Sequence, residues 1–432
     1  MNSYQEVIAY LYARLPMFTR DGSSAYKKDL TNTIKFCEAL GHPQETFKTV
    51  HIAGTNGKGS SSHMLAAVLQ QAGYKTGLYT SPHLLDFRER IRLNGAMVDE
   101  QFVIDFVSTH FALIEEIQPS FFEVTVAMAF DFFAKQEVDI AIIEVGLGGR
   151  LDSTNIIQPL VSLITNIGMD HMNMLGNTIE EITFEKAGII KAHTPVVISE
   201  YNPKTAPIFE KRAQALQSPL TYASKALSVT IRSTETAYLT LEVQPAKGGM
   251  QTVDLDLKGT YQAKNISGVL CTIEQLRNQG FTISQAQVSA ALRQVQHLTG
   301  LQGRWQTYAT DPFIICDTGH NEDGIQEVLK NLAATKFTNL LIVIGAMRDK
   351  DLSHMLPLLP KDAQYFFCSP DMPRAMPAEE LAQEALTFGL QGQAFPTVKE
   401  AIDGAIKEYK KGDLIFVGGS NFVVSELLAM EK

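Results

Sequence analysis

Cysteine is scarce in this 432-residue chain: four residues, Cys37, Cys271, Cys316 and Cys368, stand far apart and never form a CxxC pair. That spacing excludes a disulfide framework and a cysteine zinc site, so the four read as buried thiols. Positive charge is also short, since 37 Lys and Arg stand against 47 Asp and Glu for a net charge of -10. A nucleic-acid partner is therefore not expected, because binding a phosphate backbone needs clustered Lys and Arg. Long apolar runs are missing too, and no segment approaches the roughly 18 residues of a membrane span. The opening MNSYQEVIAYLYARL lacks a basic n-region, an apolar h-region and a small-residue cleavage site, so a cytoplasmic protein is expected. With so little net positive charge, an anionic substrate has to be held locally, by loops rich in backbone N–H groups, a few Lys or Arg side chains, and metal ions.

What is present is a chain long enough for two cores. Short apolar β-branched runs alternate with longer amphipathic stretches: TVHIAG, a helical run from Lys58 to Gly73, KTGLYTS, DIAIIEVG and LVSLITNIG. This is the rhythm of a parallel α/β sheet. After VVISE the pattern breaks, and AYLTLEVQ and VDLDLKG read as strands of an antiparallel patch, followed by helices over about 261–278 and 284–297. The segment HLTGLQGRWQ has little periodicity, and strand–helix alternation then restarts with FIICDTGHN, NLLIVIGAM, QYFFCSP and DLIFVGGS. The expected domains are 1–297 and 298–432.

The sharpest local signal is HIAGTNGKGSSSHML, in which an apolar strand runs through Gly54, Thr55, Asn56, Gly57, Lys58, Gly59 and Ser60 into a helix. Glycines let the backbone approach phosphate oxygens, the helix N-terminus offers N–H donors, and Lys58 adds a full charge. The strict G-x-x-x-x-G-K-[ST] pattern is not met, because Ile52 takes the place of the first glycine and Gly59 separates the lysine from the hydroxyl. Further polar residues sit at other predicted strand ends. Ser81, in Tyr79-Thr80-Ser81-Pro82-His83, is placed either to approach a metal or simply to open a turn. Glu144 closes a buried strand before three glycines, where either Mg²⁺ or a basic side chain would have to balance its charge. His171, one strand later in Ile167-Gly168-Met169-Asp170-His171, reads as a metal or phosphate contact or as a hydrogen-bonded structural histidine. In the second domain Asp317-Thr318-Gly319-His320-Asn321 and Gly418-Gly419-Ser420 both end strands, and Arg304 lies in the glycine-containing junction as a cleft-spanning or a solvated arginine.

GTNGKGS, TSPHLLDFRERIR, EVGLGGRLDSTN, NIGMDHMNMLGNTIEEITFEKAGIIK, GRWQ, DTGHN and PRAMPAEEL occur in that order, and together they resemble bacterial folylpolyglutamate synthase/dihydrofolate synthase of the Mur ligase superfamily. The resemblance runs from about residue 20 to the last strand. It implies an α/β protein: a P-loop, Mur-ligase-type ATPase domain followed by a smaller Rossmann-like C-terminal domain, with ATP at their junction. It also implies an ATP-dependent ligase, most simply a monomer, that joins L-glutamate both to dihydropteroate and to reduced folates through an acyl phosphate, with folylpolyglutamate synthase activity alone, or a related Mur-type amino-acid ligase acting on another carboxylate, as the alternative. By match to the family's motifs, Gly54 to Ser60 would cradle the triphosphate, and Ser81, Glu144 and His171 would ligate two magnesium ions. Lys186, in Glu185-Lys186-Ala187-Gly188, matches a carbamylated lysine that serves as a further metal ligand, with an unmodified lysine facing phosphate as the alternative. Gln262, Asn265, Arg304 and Asp317 match nucleotide contacts, and His320 matches a histidine near the phosphates. Lys58, Lys186 and His320 are the catalytic candidates. His83, Asp152 and Ser420 are the substrate candidates, with Asp152 where the pterin is approached. The chain departs from the family's Asp-Gly-Ala-His-Asn-Pro motif, having Asp317-Thr318-Gly319-His320-Asn321-Glu322.

Two rival readings remain open to this sequence. A peptidoglycan Mur ligase shares the loop but carries a nucleotide-sugar domain ahead of it, for which the position of Gly54 leaves no room. A scaffold that kept the fold and lost turnover has no reason to keep Lys58, Glu144, His171, Lys186 and His320 together.

Overall fold

A strand covered by helices on both faces must be apolar on both, and this chain's continuous β-branched runs meet that demand. The computed structural model describes residues 1, 3–22, 29–235, 237–246, 248–348 and 352–430. It divides into two compact units, Met1–Asp256 with Gln262–Leu301, and Leu257–Tyr261 with Gln302–Lys432.

In the first unit an eight-stranded sheet is built from β1 (Lys48–Ala53), β2 (Thr76–Tyr79), β3 (Ile91–Leu93), β4 (Ala96–Met97), β5 (Ile140–Glu144), β6 (Val161–Ile164), β7 (Val196–Ile198) and β8 (Leu220–Tyr222). Its order is β4-β3-β2-β5-β1-β6-β7-β8. In the sheet order from β2 to β8 the pairing is parallel, whereas β3 runs antiparallel to β2 and again to β4, the β3–β4 hairpin turning at Asn94-Gly95 with both residues at positive φ. Every residue of β2, β5 and β6 is buried. The helix Phe121–Lys135 opens on a capping box of Ser120 and Glu123 and packs its aromatic side chains into a core shared with Tyr79, Phe87 and Ile143.

A second, antiparallel sheet of three strands, β9 (Leu227–Ser233), β10 (Leu239–Pro245) and β11 (Gln251–Leu255), includes one strand that the sequence pattern did not mark. The helix expected over 284–297 is broken into Gln285–Leu292 and Val295–Thr299. The break has a local cause, because Asp256 accepts a hydrogen bond from Gln296 N at 2.9 Å and so starts the second helix afresh.

Burial lifts the Asp256 carboxyl to about 6, and its second oxygen is buried without a partner. A raised carboxyl favours the folded state most below its ordinary value near 4 and loses that contribution as pH rises through about 6. Asp256→Asn should therefore melt about 1–3 °C above wild type at pH 7.5. The gap should close by pH 4.5, as read by calorimetry, and a gap independent of pH would refute this assignment.

The second unit carries a six-stranded sheet of β12 (Gln306–Thr310), β13 (Phe313–Cys316), β14 (Leu340–Ile344), β15 (Gln364–Cys368), β16 (Gly392–Phe395) and β17 (Leu414–Gly418), in the order β12-β13-β17-β14-β15-β16. All but β12 are parallel. The four cysteines are buried and free, and among the described residues no helix is long and apolar enough to cross a membrane.

Candidate active site

Because β2, β5, β1 and β6 are parallel neighbours, their carboxyl ends share one edge of the sheet. Ser81 follows β2, Glu144 closes β5, the glycine loop follows β1, and His171 follows β6. Such an edge is where ligands collect in open α/β sheets.

The loop is shaped by close contacts that only glycine allows. Gly54 has φ +150°, and a Cβ there would stand 1.9 Å from Thr165 Oγ1; at Gly57, φ +84°, a Cβ would stand 2.2 Å from Asn265 Oδ1. Gly57 opens the helix Lys58–Gln71 with no side-chain cap, so its first N–H groups and its dipole face the loop's concave side. Thr165 Oγ1 donates to Asn56 O at 2.6 Å, Asn56 N donates to Asn166 Oδ1 at 2.7 Å, and Gly168 N donates to Thr55 Oγ1 at 2.9 Å. From the other side Gln262 donates to Ser60 Oγ at 3.1 Å, and Asn265 donates to Gln262 at 2.8 Å.

Two ammonium groups converge on one carbonyl. Lys58 Nζ donates to Gly54 O at 3.1 Å, and Lys186 Nζ, from the end of the helix Ile179–Lys186, donates to the same oxygen at 2.8 Å. Lys186 is only 4% exposed. Burial, and then the charge of Lys58, pull its amine down to about 7, while Asp170 and Asp152 act the other way. Two like charges held this close to the start of an uncapped helix make a focus for an anion.

Glu144 is 4% exposed and accepts a hydrogen bond from Ser81 N at 3.2 Å. His171 sits in the left-handed region at φ 51°, and its backbone N–H donates to Asp170 Oδ1 at 2.8 Å. Among the described residues no three His, Cys, Asp or Glu side chains gather as a ready metal cluster. The donors do fit magnesium, which takes one or two carboxylates and fills its remaining positions with phosphate oxygens and water.

Asp152 is 3% exposed and accepts from Leu147 N at 2.9 Å and from Thr154 N at 3.0 Å, so it braces the glycine-rich turn after β5. His83 Nδ1 accepts from Arg90 Nε at 2.7 Å. In a neutral ring this puts the proton on Nε2, which donates to Tyr12 Oη at 3.1 Å.

In the second unit, Asp317 and Ser420 follow the neighbouring parallel strands β13 and β17. Asp317 accepts from Tyr261 Oη at 2.7 Å, Trp305 N at 2.7 Å and Gly319 N at 2.8 Å. Burial pushes its carboxyl up, against the opposing pull of Tyr261 and Arg304. Arg304 donates to Thr318 Oγ1. His320 Nδ1 lies 3.0 Å from Thr318 O and, since a carbonyl can only accept, carries the proton there. Ser420 caps the helix Asn421–Ala429. Thr165, Asn166 and Tyr261 escaped the sequence reading. Asn166 lies inside a motif that was noticed, whereas Tyr261 carried no local signal.

Residues 52–273 match the Mur ligase middle domain, and residues 303–421 match the Mur ligase glutamate ligase domain. Fold, loop and domain order thus define a Mur-type ligase. Over 440 aligned residues, covering 98% of each chain, the sequence is 32% identical to the dihydrofolate synthase/folylpolyglutamate synthase of Bacillus subtilis. The structure is similar to that of E. coli FolC in complex with DHPP and ADP, with TM-score 0.86 and 27% identity over 100% of this chain and 98% of that one. It is also similar to a bifunctional folylpolyglutamate synthase/dihydrofolate synthase with Mn, AMPPNP and L-glutamate bound, with TM-score 0.84 and 26% identity over 100% and 98%. The chain belongs to the folylpolyglutamate synthase/dihydrofolate synthase family.

Proposed function

We propose that this protein is an ATP-dependent ligase that adds L-glutamate to dihydropteroate and to reduced folates. The observation that carries the reading is the convergence of Lys58 and Lys186 on Gly54 O, beside the uncapped helix start.

A carboxylate is a poor electrophile, whereas its anhydride with phosphate carries a good leaving group. A carboxylate oxygen of the pterin substrate attacks the γ-phosphorus and ADP leaves. The glutamate amine then attacks the acyl carbon, inorganic phosphate departs, and the amine loses a proton. Two magnesium ions, held by Ser81, Glu144, His171 and a carbamylated Lys186, supply positive charge to the triphosphate when bound. The loop from Gly54 to Ser60 cradles the phosphates, and Lys58 exchanges its carbonyl partners for phosphate oxygens as charge builds.

Carbamylation needs a neutral amine: the Lys186 nitrogen bonds to the carbon of CO₂ and releases one proton. The lowered amine supplies that form near neutrality. Gln262 and Asn265, and in the second unit Arg304 and Asp317, serve the nucleotide, with His320 at the phosphates. His83, Asp152 and Ser420 serve the substrates. Free, buried thiols accord with a reducing compartment such as the cytoplasm, and the enzyme acts as a monomer.

The acyl phosphate is tested with dihydropteroate labelled with ¹⁸O in its carboxylate. One label per turnover should appear in inorganic phosphate by mass spectrometry. Unlabelled phosphate would rule the intermediate out.

A further inference from the structure

Arg90 ends the turn Phe87–Arg90 and is 6% exposed. Its carbonyl accepts from Thr80 N at 3.1 Å, which ties it to the backbone immediately before Ser81. Its Nε is spent on His83 Nδ1, and its guanidinium lies 5.2 Å from the centre of the Phe121 ring. Among the described residues no carboxylate forms an ion pair with it. Glu144 contributes attraction at longer range only. A cation taken this far out of water is costly unless something compensates it.

The side chains beside it offer further donors, while the carboxylates of Glu144, Asp86 and Glu89 act on this cluster only at longer range. Since His83 donates from Nε2 to Tyr12 Oη, the proton of the Tyr12 hydroxyl is left to donate elsewhere, and Tyr12 lies within electrostatic reach of Arg90. The Tyr79 hydroxyl, on the last residue of β2, is wholly buried with the Arg90 guanidinium and the Thr125 hydroxyl beside it, and its proton meets no acceptor in good hydrogen-bonding geometry. Both phenols keep their protons, since burial raises each above its ordinary value.

We infer that the Arg90 guanidinium, assisted by the Tyr12 and Tyr79 hydroxyls, receives the carboxylate of the acceptor substrate that becomes the acyl phosphate. This rests on the ligase reading above and adds the group that recognises the reacting carboxylate. The main-chain bond between Arg90 and Thr80 then sets that carboxylate next to Ser81. Burial lowers the Arg90 guanidinium from its ordinary value, yet an arginine keeps its charge near neutrality, so recognition there does not depend on a titrating group.

The test is equilibrium binding to the full chain without ATP, comparing dihydropteroate with its uncharged carboxamide. Wild type should prefer the carboxylate by about 10- to 100-fold, the range of charge-assisted hydrogen bonds. Arg90→Met should abolish that preference by weakening the carboxylate alone, and Tyr79→Phe should reduce it several-fold. Equal affinity of wild type for the two ligands overturns the inference and needs no variant, so a folding failure of Arg90→Met does not shelter it. A variant that weakens both ligands alike overturns it as well. Binding of neither ligand to wild type sinks the folate reading itself, and this inference with it.

Discussion

Lys58→Ala should lower kcat/KM for ATP-dependent ligation on the order of 10²–10³-fold, the range seen when one positioned donor to developing charge is removed. The loss should fall on both KM for ATP and kcat, because the ammonium meets phosphate in the ground state and more strongly as charge builds during transfer. The folded structure gives it no comparable duty, since its two bonds go to loop carbonyls, Gly54 O and Thr55 O at 3.1 and 3.2 Å. Melting temperature should therefore change little. Steady-state ADP release against ATP concentration checks this, and a variant with unchanged turnover would remove the phosphate-loop assignment.

Lys186→Ala should cost as much, for a different reason. The side chain is buried, directed at Gly54 O and close enough to Lys58 for the second charge to depress its amine. If it works as a carbamate, two results follow together: formate or acetate restores part of the activity of Lys186→Ala, and wild type under ¹³CO₂ shows a carbamate carbon resonance that the variant lacks. Lys186→Arg, which restores only a cation, should not recover activity. No rescue and no resonance would leave the amine acting on phosphate directly, and the metal set would lose one ligand.

Much of the fold could be read from the sequence because parallel strands buried on both faces leave continuous apolar runs, as in DIAIIEVG and LVSLITNIG. The glycine loop could be read for a related reason: positions such as Gly54, where any Cβ would strike Thr165, admit no other residue. What escaped was short or tertiary. The β3–β4 hairpin carried an Asn-Gly turn signal, but its strands of three and two residues are too brief for periodicity to register. The break between Leu292 and Val295 depends on Asp256, nearly forty residues upstream. Similarly, strand-end placement drew attention to Glu144 and His171, whereas nothing local announces that Lys186 reaches across 132 residues to Gly54 O. The pairing of Tyr261 with Asp317 was invisible for the same reason.

Ligation of glutamate to pterin carboxylates at the expense of ATP is measured as ADP release from purified protein with Mg-ATP and L-glutamate. The reaction is run with dihydropteroate, with tetrahydrofolate and with no pterin, and the products are weighed. ADP release should need a pterin, with each of the two pterins gaining one glutamyl mass per ADP formed. ADP release indifferent to pterin, or no glutamyl product with either, would contradict it.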